Sequence, residues 1–531
     1  MNRLRLGMAA IGLVAAATAH AAPQSYRNPV IPGFHPDPSI CRVGNDYYLA
    51  TSSFEYYPGV PIFHSRDLVN WRQIGHALTR PSQLDLDGLR SSKGIYAPTL
   101  RCHDGRFYMV TTNVGKKGNF VVSTQDPAGE WSEPVWIPEE DSSIDPSLLF
   151  DDDGKVYFTR QDGGEKGGIA QAEIDLASGK LAARAKRIWN GTGGVWPEGP
   201  HLYKIGGMYH LLISEGGTSY GHMLTMARSK SPWGPFEAAP HNPVFSHKDK
   251  PDLPIQATGH GDLVQAPDGR WWMVMLGVRS FARQHHLGRE TFLAPVAWNA
   301  DGWLEVNGGQ PLSENMRAEG LPQAHPWPKQ PVRDDFDAAR LGLAWNTLRG
   351  PATGLWSLTD KPGTLRLKGT REGLADIATP AFVGRRQEHL RMRAATELQF
   401  QPGADGQYAG LALRMNESHH YLLRVTGSPQ RRVELFTRVG GVEQVRGTLP
   451  IGAGPVTLQV EAWPDRYVFS ARAGKAAFKQ LGTAPTADLS SEKAGGFTGV
   501  YVGLVASAGK AAAQPMPAAD FAWFDYQPLE E

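Results

Sequence analysis

The sequence predicts an all-β protein, a five-bladed β-propeller followed by a β-sandwich, and three observations carry that expectation. A hairpin pattern recurs five times, beginning at Asp37, Ala97, Asp145, Glu198 and His260 or Gly261, each copy a short strand, a turn and an aromatic strand. No long stretch has helical periodicity, so units of about 50 residues suit propeller blades better than a helical solenoid. After a Pro-rich stretch, short alternating runs continue without helices to the end of the chain, the pattern of a sandwich.

The first copy, DPSICRVGNDYYLAT, turns on Gly44-Asn45-Asp46, and the fourth, EGPHLYKIGGMYHLLIS, on Gly206-Gly207. Such residues accept the positive φ of a tight hairpin. In a propeller the first strand of every blade lies nearest the axis. Residues opening those strands therefore converge on one end of the channel, and here they include Asp37, Asp145 and Glu198. A single acid beside Pro reads as a turn residue. Three acids at equivalent places in one repeat point instead to chemistry, because clustered carboxylates repel one another.

The 531 residues exceed one ordinary core and suggest two domains. With 54 basic and 53 acidic residues the net charge is +1, so no global field favours nucleic acid or an anionic membrane, and a neutral substrate suits the balance. Arg3 and Arg5, an apolar run from Leu6 to about Ala17, and Ala19-His20-Ala21 form the pattern of a cleavable leader over residues 1–21. The run is too short to span a bilayer. A periplasmic or secreted location is the expectation. Cys41 and Cys102 fall at nearly matching places in the first two copies. An oxidising compartment permits a disulfide, while the reading adopted here is two inert thiols in separate blades.

The propeller is placed at 22–311. Trp71, Trp131 and Trp233, each after a Ser-led turn, are read as blade packing, and Asp67 and Asp126 as turn caps. The polar, Pro-rich stretch 312–331 is read as a linker and 332–531 as the sandwich. The Ala-, Gly- and Pro-rich run from Ala506 to Pro517 is read as an exposed loop, and His285-His286 as solvated loop.

Metal-free glycoside hydrolysis needs one carboxylic acid to protonate the leaving oxygen and one carboxylate to activate water or attack carbon. Glu198 has the reach of an acid, and a neighbouring carboxylate such as Asp145 would keep it protonated. Asp37, in another blade, is the candidate base, with room for water at the inverting separation of roughly 6.5–9.5 Å.

Gly33-Phe34-His35-Pro36-Asp37-Pro38-Ser39, Ile144-Asp145-Pro146-Ser147 and Pro197-Glu198-Gly199-Pro200-His201-Leu202 resemble the three acidic signatures of the family 43 glycoside hydrolases, in the expected order. The resemblance implies an inverting hydrolase with Asp37 as base, Glu198 as acid and Asp145 tuning the acid. It also implies that the second half, with Asp334-Asp335-Phe336-Asp337 near its start, is the concanavalin-like jelly roll of the β-xylosidase branch. Phe54, in Thr51-Ser52-Ser53-Phe54-Glu55, is similar to the Phe that lines the sugar pocket, and Arg289, in Leu287-Gly288-Arg289-Glu290, to the Arg that bonds sugar hydroxyls. Blade core and a salt bridge to a propeller acid are their respective alternatives.

Tyr96 stands where the xylosidase pattern has Trp, which leaves terminal β-D-xylose and terminal α-L-arabinofuranose both open. Trp196 either lines the pocket or packs beneath it. His260 resembles a residue that faces the axis beside calcium in some members and water in others; read alone, it is a hydrogen-bonded interior residue. Asp335 and Asp520 are either a structural calcium site in the sandwich or surface turn carboxylates. No cofactor is required for the reaction. No GxxxxGK[ST] loop and no HExxH motif supports phosphate transfer or zinc proteolysis.

The expected function is an exported exo-acting hydrolase that trims terminal pentoses from hemicellulose oligosaccharides, with Phe497 as a candidate cap from the sandwich over the pocket. The alternatives are a noncatalytic carbohydrate-binding propeller and a structural or partner-binding propeller.

Overall fold

The computed structural model describes residues 23–138, 143–427, 430–510 and 517–529. The leader expected at residues 1–21 lies outside them. Five antiparallel sheets form the first half. Their innermost strands are Ser39–Val43, Thr99–His103, Ser147–Phe150, Glu198–Ile205 and Ile255–Gln265. In every sheet the chain steps outward, as in Ser39–Val43, Asp46–Ala50, Gly59–Ser65 and Arg72–Leu78 of the first. Each innermost strand touches the next, and the fifth touches the first, closing the ring. The five sheets are therefore the blades of a propeller.

Two pieces distant in sequence latch the ring. Gln24–Arg27 pairs antiparallel with Asn315–Ala318. Asn28 Nδ2 donates to the Leu293 carbonyl at 3.0 Å and its Oδ1 accepts from Leu293 N at 2.9 Å, so the N-terminal segment lies against the fifth blade. The stretch expected as a linker at 312–331 is thus structured in its first part. Met316 and Ala318, alternate residues of that strand, face inward into the propeller core, and Leu312 and Leu321 on either side of it are buried there too, even though the stretch's overall composition is polar.

The second half is two packed sheets. One runs Trp356–Ser357, Leu365–Leu367, Ala519–Pro528, Met392–Gln399, Val456–Ala462, Arg466–Ala473 and Lys479–Pro485. The other runs Ala381–Arg386, Tyr501–Ser507, Tyr408–Arg414, His420–Thr426, Arg432–Val439 and Val442–Pro450. Leu411, Leu423, Val460, Leu504 and Phe521 fill the space between them. Alternation along each strand turns these apolar side chains to one face.

The halves meet over the first blade. Tyr56–Tyr57 pairs with Thr347–Leu348, and the Tyr56 and Tyr501 rings stack 3.7 Å apart. Arg414 is fully buried and donates to Glu55 Oε1 at 3.2 Å, to Tyr56 OH at 2.9 Å and to Ser91 Oγ at 2.7 Å.

Several sequence expectations are corrected. Cys41 and Cys102 form a disulfide, because the first two innermost strands run side by side and bring their α-carbons to 5.8 Å. Trp131 is buried and Trp71 partly buried, as blade packing requires, but Trp233 is an exposed residue edge-on to Tyr157. His286 is buried against Tyr467, and its carbonyl accepts from Val500 N, since the loop carrying it is covered by the sandwich. Ala506 and Ser507 end an interior strand and are not loop; residues 511–516 lie outside the described residues. Asp67 and Asp126 do cap their turns, accepting from Val69 N and Asn70 N and from Ala128 N.

Candidate active site

Asp37 and Asp145 precede the first and third innermost strands in the same left-handed conformation, each with φ 54°. Asp is among the few L-residues that adopt it readily. Glu198 opens the fourth innermost strand. The register shifts between Glu198 and His201, and again on both sides of Gly259 in the fifth. These bulges re-aim the side chains at the strand mouths. A Cβ at Gly199 would lie 2.9 Å from His260 Nδ1, so only glycine lets the fourth and fifth strands approach there.

The three acids meet. His260 Nδ1 lies 3.9 Å from Asp37 Oδ1 and 4.0 Å from Asp145 Oδ2. Gly199 N donates to Asp145 Oδ2 at 3.1 Å, fixing that carboxylate under the residue next to Glu198. Burial, followed by the Asp145 and Asp37 charges, pushes the Glu198 carboxyl well above the usual carboxylate range. Burial likewise pushes Asp145 up to about 6; the His260 side chain opposes the rise and Asp37 adds to it. Asp37 bonds a cation and a hydroxyl directly. Arg289 Nη1 donates to Asp37 Oδ1 at 2.7 Å, and Ser52 Oγ donates to Asp37 Oδ2 at 2.5 Å. One carboxylate is thus held by a cation and a hydroxyl, while burial and like charge favour the protonated form of Glu198.

Apolar walls complete the mouth. Phe54 packs against Tyr96 with ring centroids 4.9 Å apart, and Phe54 N donates to the Ile95 carbonyl, tying the two aromatic residues together across neighbouring blades. The Arg289 guanidinium lies 5.6 Å from the Phe54 ring and 5.7 Å from the Phe497 ring. Phe497 comes from the sandwich, and its ring is 6.2 Å from Phe54 and 6.1 Å from Tyr96. Its backbone is fastened at both ends: Phe497 N donates to Ser92 Oγ at 2.9 Å and its carbonyl accepts from Arg289 Nη2 at 3.4 Å. The second domain therefore supplies part of the wall.

Of the residues singled out from sequence, Asp37, Asp145, Glu198, Phe54, Tyr96, His260, Arg289 and Phe497 are brought together. Phe54 is both buried and in the wall, and Arg289 does form the salt bridge to a propeller acid. Trp196 does not pack beneath the acid; it is 41% exposed at the rim. Ser52, Ser92 and Thr218, whose Oγ1 accepts from Arg289 Nη1 at 3.0 Å, were not distinguished in sequence. Small hydroxyl residues in loops carry no periodic signal.

Asp335 pairs with Arg333, and Asp520 with Arg366 and Lys361, so protein cations already neutralise both carboxylates. Among the described residues no group of three or more His, Cys, Asp or Glu could hold a metal ion.

Similarity to known proteins agrees with this geometry. The profile of glycosyl hydrolases family 43 matches residues 26–304, and that of the β-xylosidase C-terminal concanavalin A-like domain matches residues 333–527. A non-reducing end α-L-arabinofuranosidase of Bacteroides ovatus is 46% identical over 537 residues, covering 100% of this chain and 99% of the relative. A β-xylosidase of Bacillus subtilis is 36% identical, covering 94% and 99%. The solved xylan β-1,4-xylosidase of Bacillus halodurans superposes with a TM-score of 0.90 at 38% identity, covering 94% of this chain and 100% of that one. With both halves matched and the three acids gathered at one mouth of the ring, the chain belongs to family 43 of the glycoside hydrolases and is a glycoside hydrolase.

Proposed function

We propose that the protein is an exported, inverting exo-hydrolase that releases terminal β-D-xylose, α-L-arabinofuranose or both from hemicellulose oligosaccharides. The observation that carries this reading is the contrast between Asp37, paired with Arg289, and Glu198, pushed up by burial and by its two carboxylate neighbours. Glu198 gives its proton to the oxygen leaving the anomeric carbon. Asp37 takes a proton from water as that water attacks the opposite face, so one water is consumed and the configuration inverts. Asp145 acts on Glu198 through its charge and through Gly199 N. His260 stands between the Asp37 and Asp145 carboxylates as a positioning group.

Phe54, Tyr96 and Phe497 suit the apolar face of one pentose ring, and Phe497 narrows the mouth to a chain end. Relatives named for each pentose support both sugars as candidates. The Cys41–Cys102 disulfide supports an oxidising compartment, which the leader-like N-terminus independently suggests.

The test is hydrolysis of nitrophenyl β-D-xyloside and nitrophenyl α-L-arabinofuranoside side by side, with the first-formed anomer followed by NMR. Inversion is expected. A retained configuration would remove the water-activating role from Asp37, and binding without turnover would favour a carbohydrate-binding propeller.

A further inference from the structure

Two large apolar residues stand next to each other in the open at the mouth. Val195 is 43% exposed and Trp196 41% exposed, two residues before Glu198. Trp196 has φ 55°, a conformation that bulky L-residues rarely adopt. Exposed indole on strained backbone beside a catalytic acid needs a cause.

The loop holding it is built around a fully buried carboxylate. Glu215 Oε1 accepts from Thr192 N and Gly194 N, each at 2.9 Å, and Glu215 Oε2 accepts from Thr192 Oγ1 at 2.9 Å and Thr225 Oγ1 at 2.6 Å. Trp196 N then donates to the Glu165 carbonyl at 2.8 Å, and the Val195 carbonyl accepts from Gly216 N at 2.7 Å. Every one of these contacts fixes the loop's backbone or base, and none involves the indole, which stays partly exposed. Two glycines border the ring, Gly164 and Gly217, where an added Cβ would stand in contact at 3.6 and 3.4 Å from ring atoms. Thr218, next in the chain, bonds Arg289, which holds Asp37. Trp196 is therefore on the rim of the same pocket.

We propose that Trp196 is the platform for the leaving group, taking by stacking the flat apolar face of a β-linked pyranose unit attached to the pentose being released, with Glu215 as the positioning residue that presents it. This rests on the reading of Glu198 as the acid. The acid protonates the oxygen shared with the leaving sugar, so that sugar lies on the acid's side of the pocket, where the indole is. A six-membered ring with its hydrogens on one face matches an indole as a puckered furanose or a flexible chain does not.

The experiment compares, on the full-length protein, kcat/KM for an oligosaccharide and for a glycosyl fluoride with the same terminal pentose, since fluoride leaves without a sugar. Trp196→Ala is expected to lower the oligosaccharide value by about tenfold or more beyond any effect on the fluoride. Trp196→Phe is expected to recover most of that difference, and Glu215→Gln to show the same substrate-selective loss. Equal losses on both substrates, or no loss on either, would overturn the platform. A wild-type protein that turns over neither substrate would instead overturn the hydrolase reading beneath it.

Discussion

Asp37 and Arg289 are 252 residues apart and form a buried ion pair with Nη1 to Oδ1 at 2.7 Å. The pairing follows from how the ring closes. His35 N donates to the Arg289 carbonyl at 3.0 Å, Ile31 N and Thr291 N exchange hydrogen bonds with each other's carbonyls, and Thr291 Oγ1 donates to the His35 carbonyl at 2.7 Å. The segment leading into the first blade thus runs along the fifth, and closing the ring seats Asp37 on its cation. Arg289→Lys keeps the charge but loses the planar fork that reaches Asp37, Thr218 and the Phe497 carbonyl. The expected loss is about 1.5 to 3 kcal/mol, roughly ten- to a hundredfold in kcat/KM. Steady-state kinetics on the nitrophenyl pentosides measures it.

Glu198→Gln removes the proposed proton donor and keeps the shape. Turnover of an oligosaccharide, whose leaving oxygen needs that proton, is expected to fall by roughly 10² to 10⁴, and turnover of a glycosyl fluoride far less. Because the Glu198 carboxyl sits above the ordinary range, the high-pH limb of the wild-type kcat/KM profile should also lie above it. The same Glu198→Gln variant should lack that limb when assayed on the fluoride, and a limb that persisted would assign it to another group.

Asp145 carries a cost in stability that pH reveals. Its carboxyl is raised from 3.8 to about 6 in the folded protein, so the folded state binds more protons than the unfolded one between those values. Stability therefore falls as pH rises through this window, by about 3 kcal/mol once pH exceeds 6, and nothing is lost below pH 3.8. Asp145→Asn retains an oxygen for Gly199 N and avoids the charge. Thermal unfolding should show the variant more stable than wild type at about pH 7.5, with the difference vanishing near pH 4, while activity drops.

The sandwich reaches the pocket through Phe497 and Ser92. Phe497→Ala is expected to raise KM by roughly five- to thirtyfold, the equivalent of about 1 to 2 kcal/mol of lost apolar contact, with a smaller change in kcat. Ser92→Ala, which removes the acceptor for Phe497 N, should move KM in the same direction by less. Arg414→Met acts elsewhere: it leaves Glu55 buried without its cation, and the expected result is about 3 to 5 kcal/mol of lost stability on denaturant unfolding.

The disulfide joins Cys41 to Cys102 across two blades, closing a long loop. Cys41→Ser is expected to lower stability by about 2 to 4 kcal/mol. Mass spectrometry of protein purified without reductant should find the bond, and free thiols there would refute the pairing.

The propeller, the sandwich and the three acids were legible in the chain because they depend on local patterns. Turn residues and alternating apolar positions specify hairpins wherever they occur, and five copies of one hairpin specify a ring. The strand at Asn315–Ala318 was hidden by its neighbours' composition, since a single edge strand with two buried side chains looks like linker when averaged over about twenty residues. Trp196, read alone as either lining the pocket or packing beneath it, is shown by its exposure not to pack beneath the acid, a matter settled by loops distant in sequence that hold Gly164 and Gly217 against its ring.

By itself the sequence determined which residues could do chemistry and that their strands would point one way around an axis. Only the tertiary structure decided which charged groups each acid faces and what walls surround it. Arg289, Ser52, Thr218 and Phe497 come from different blades and from the other domain, and the order of residues along a chain does not encode distance across a closed ring. Proton affinity depends on that distance and on burial, and so the environment behind the proposed roles of Asp37 and Glu198 forms only once the ring has closed and the sandwich has docked over it.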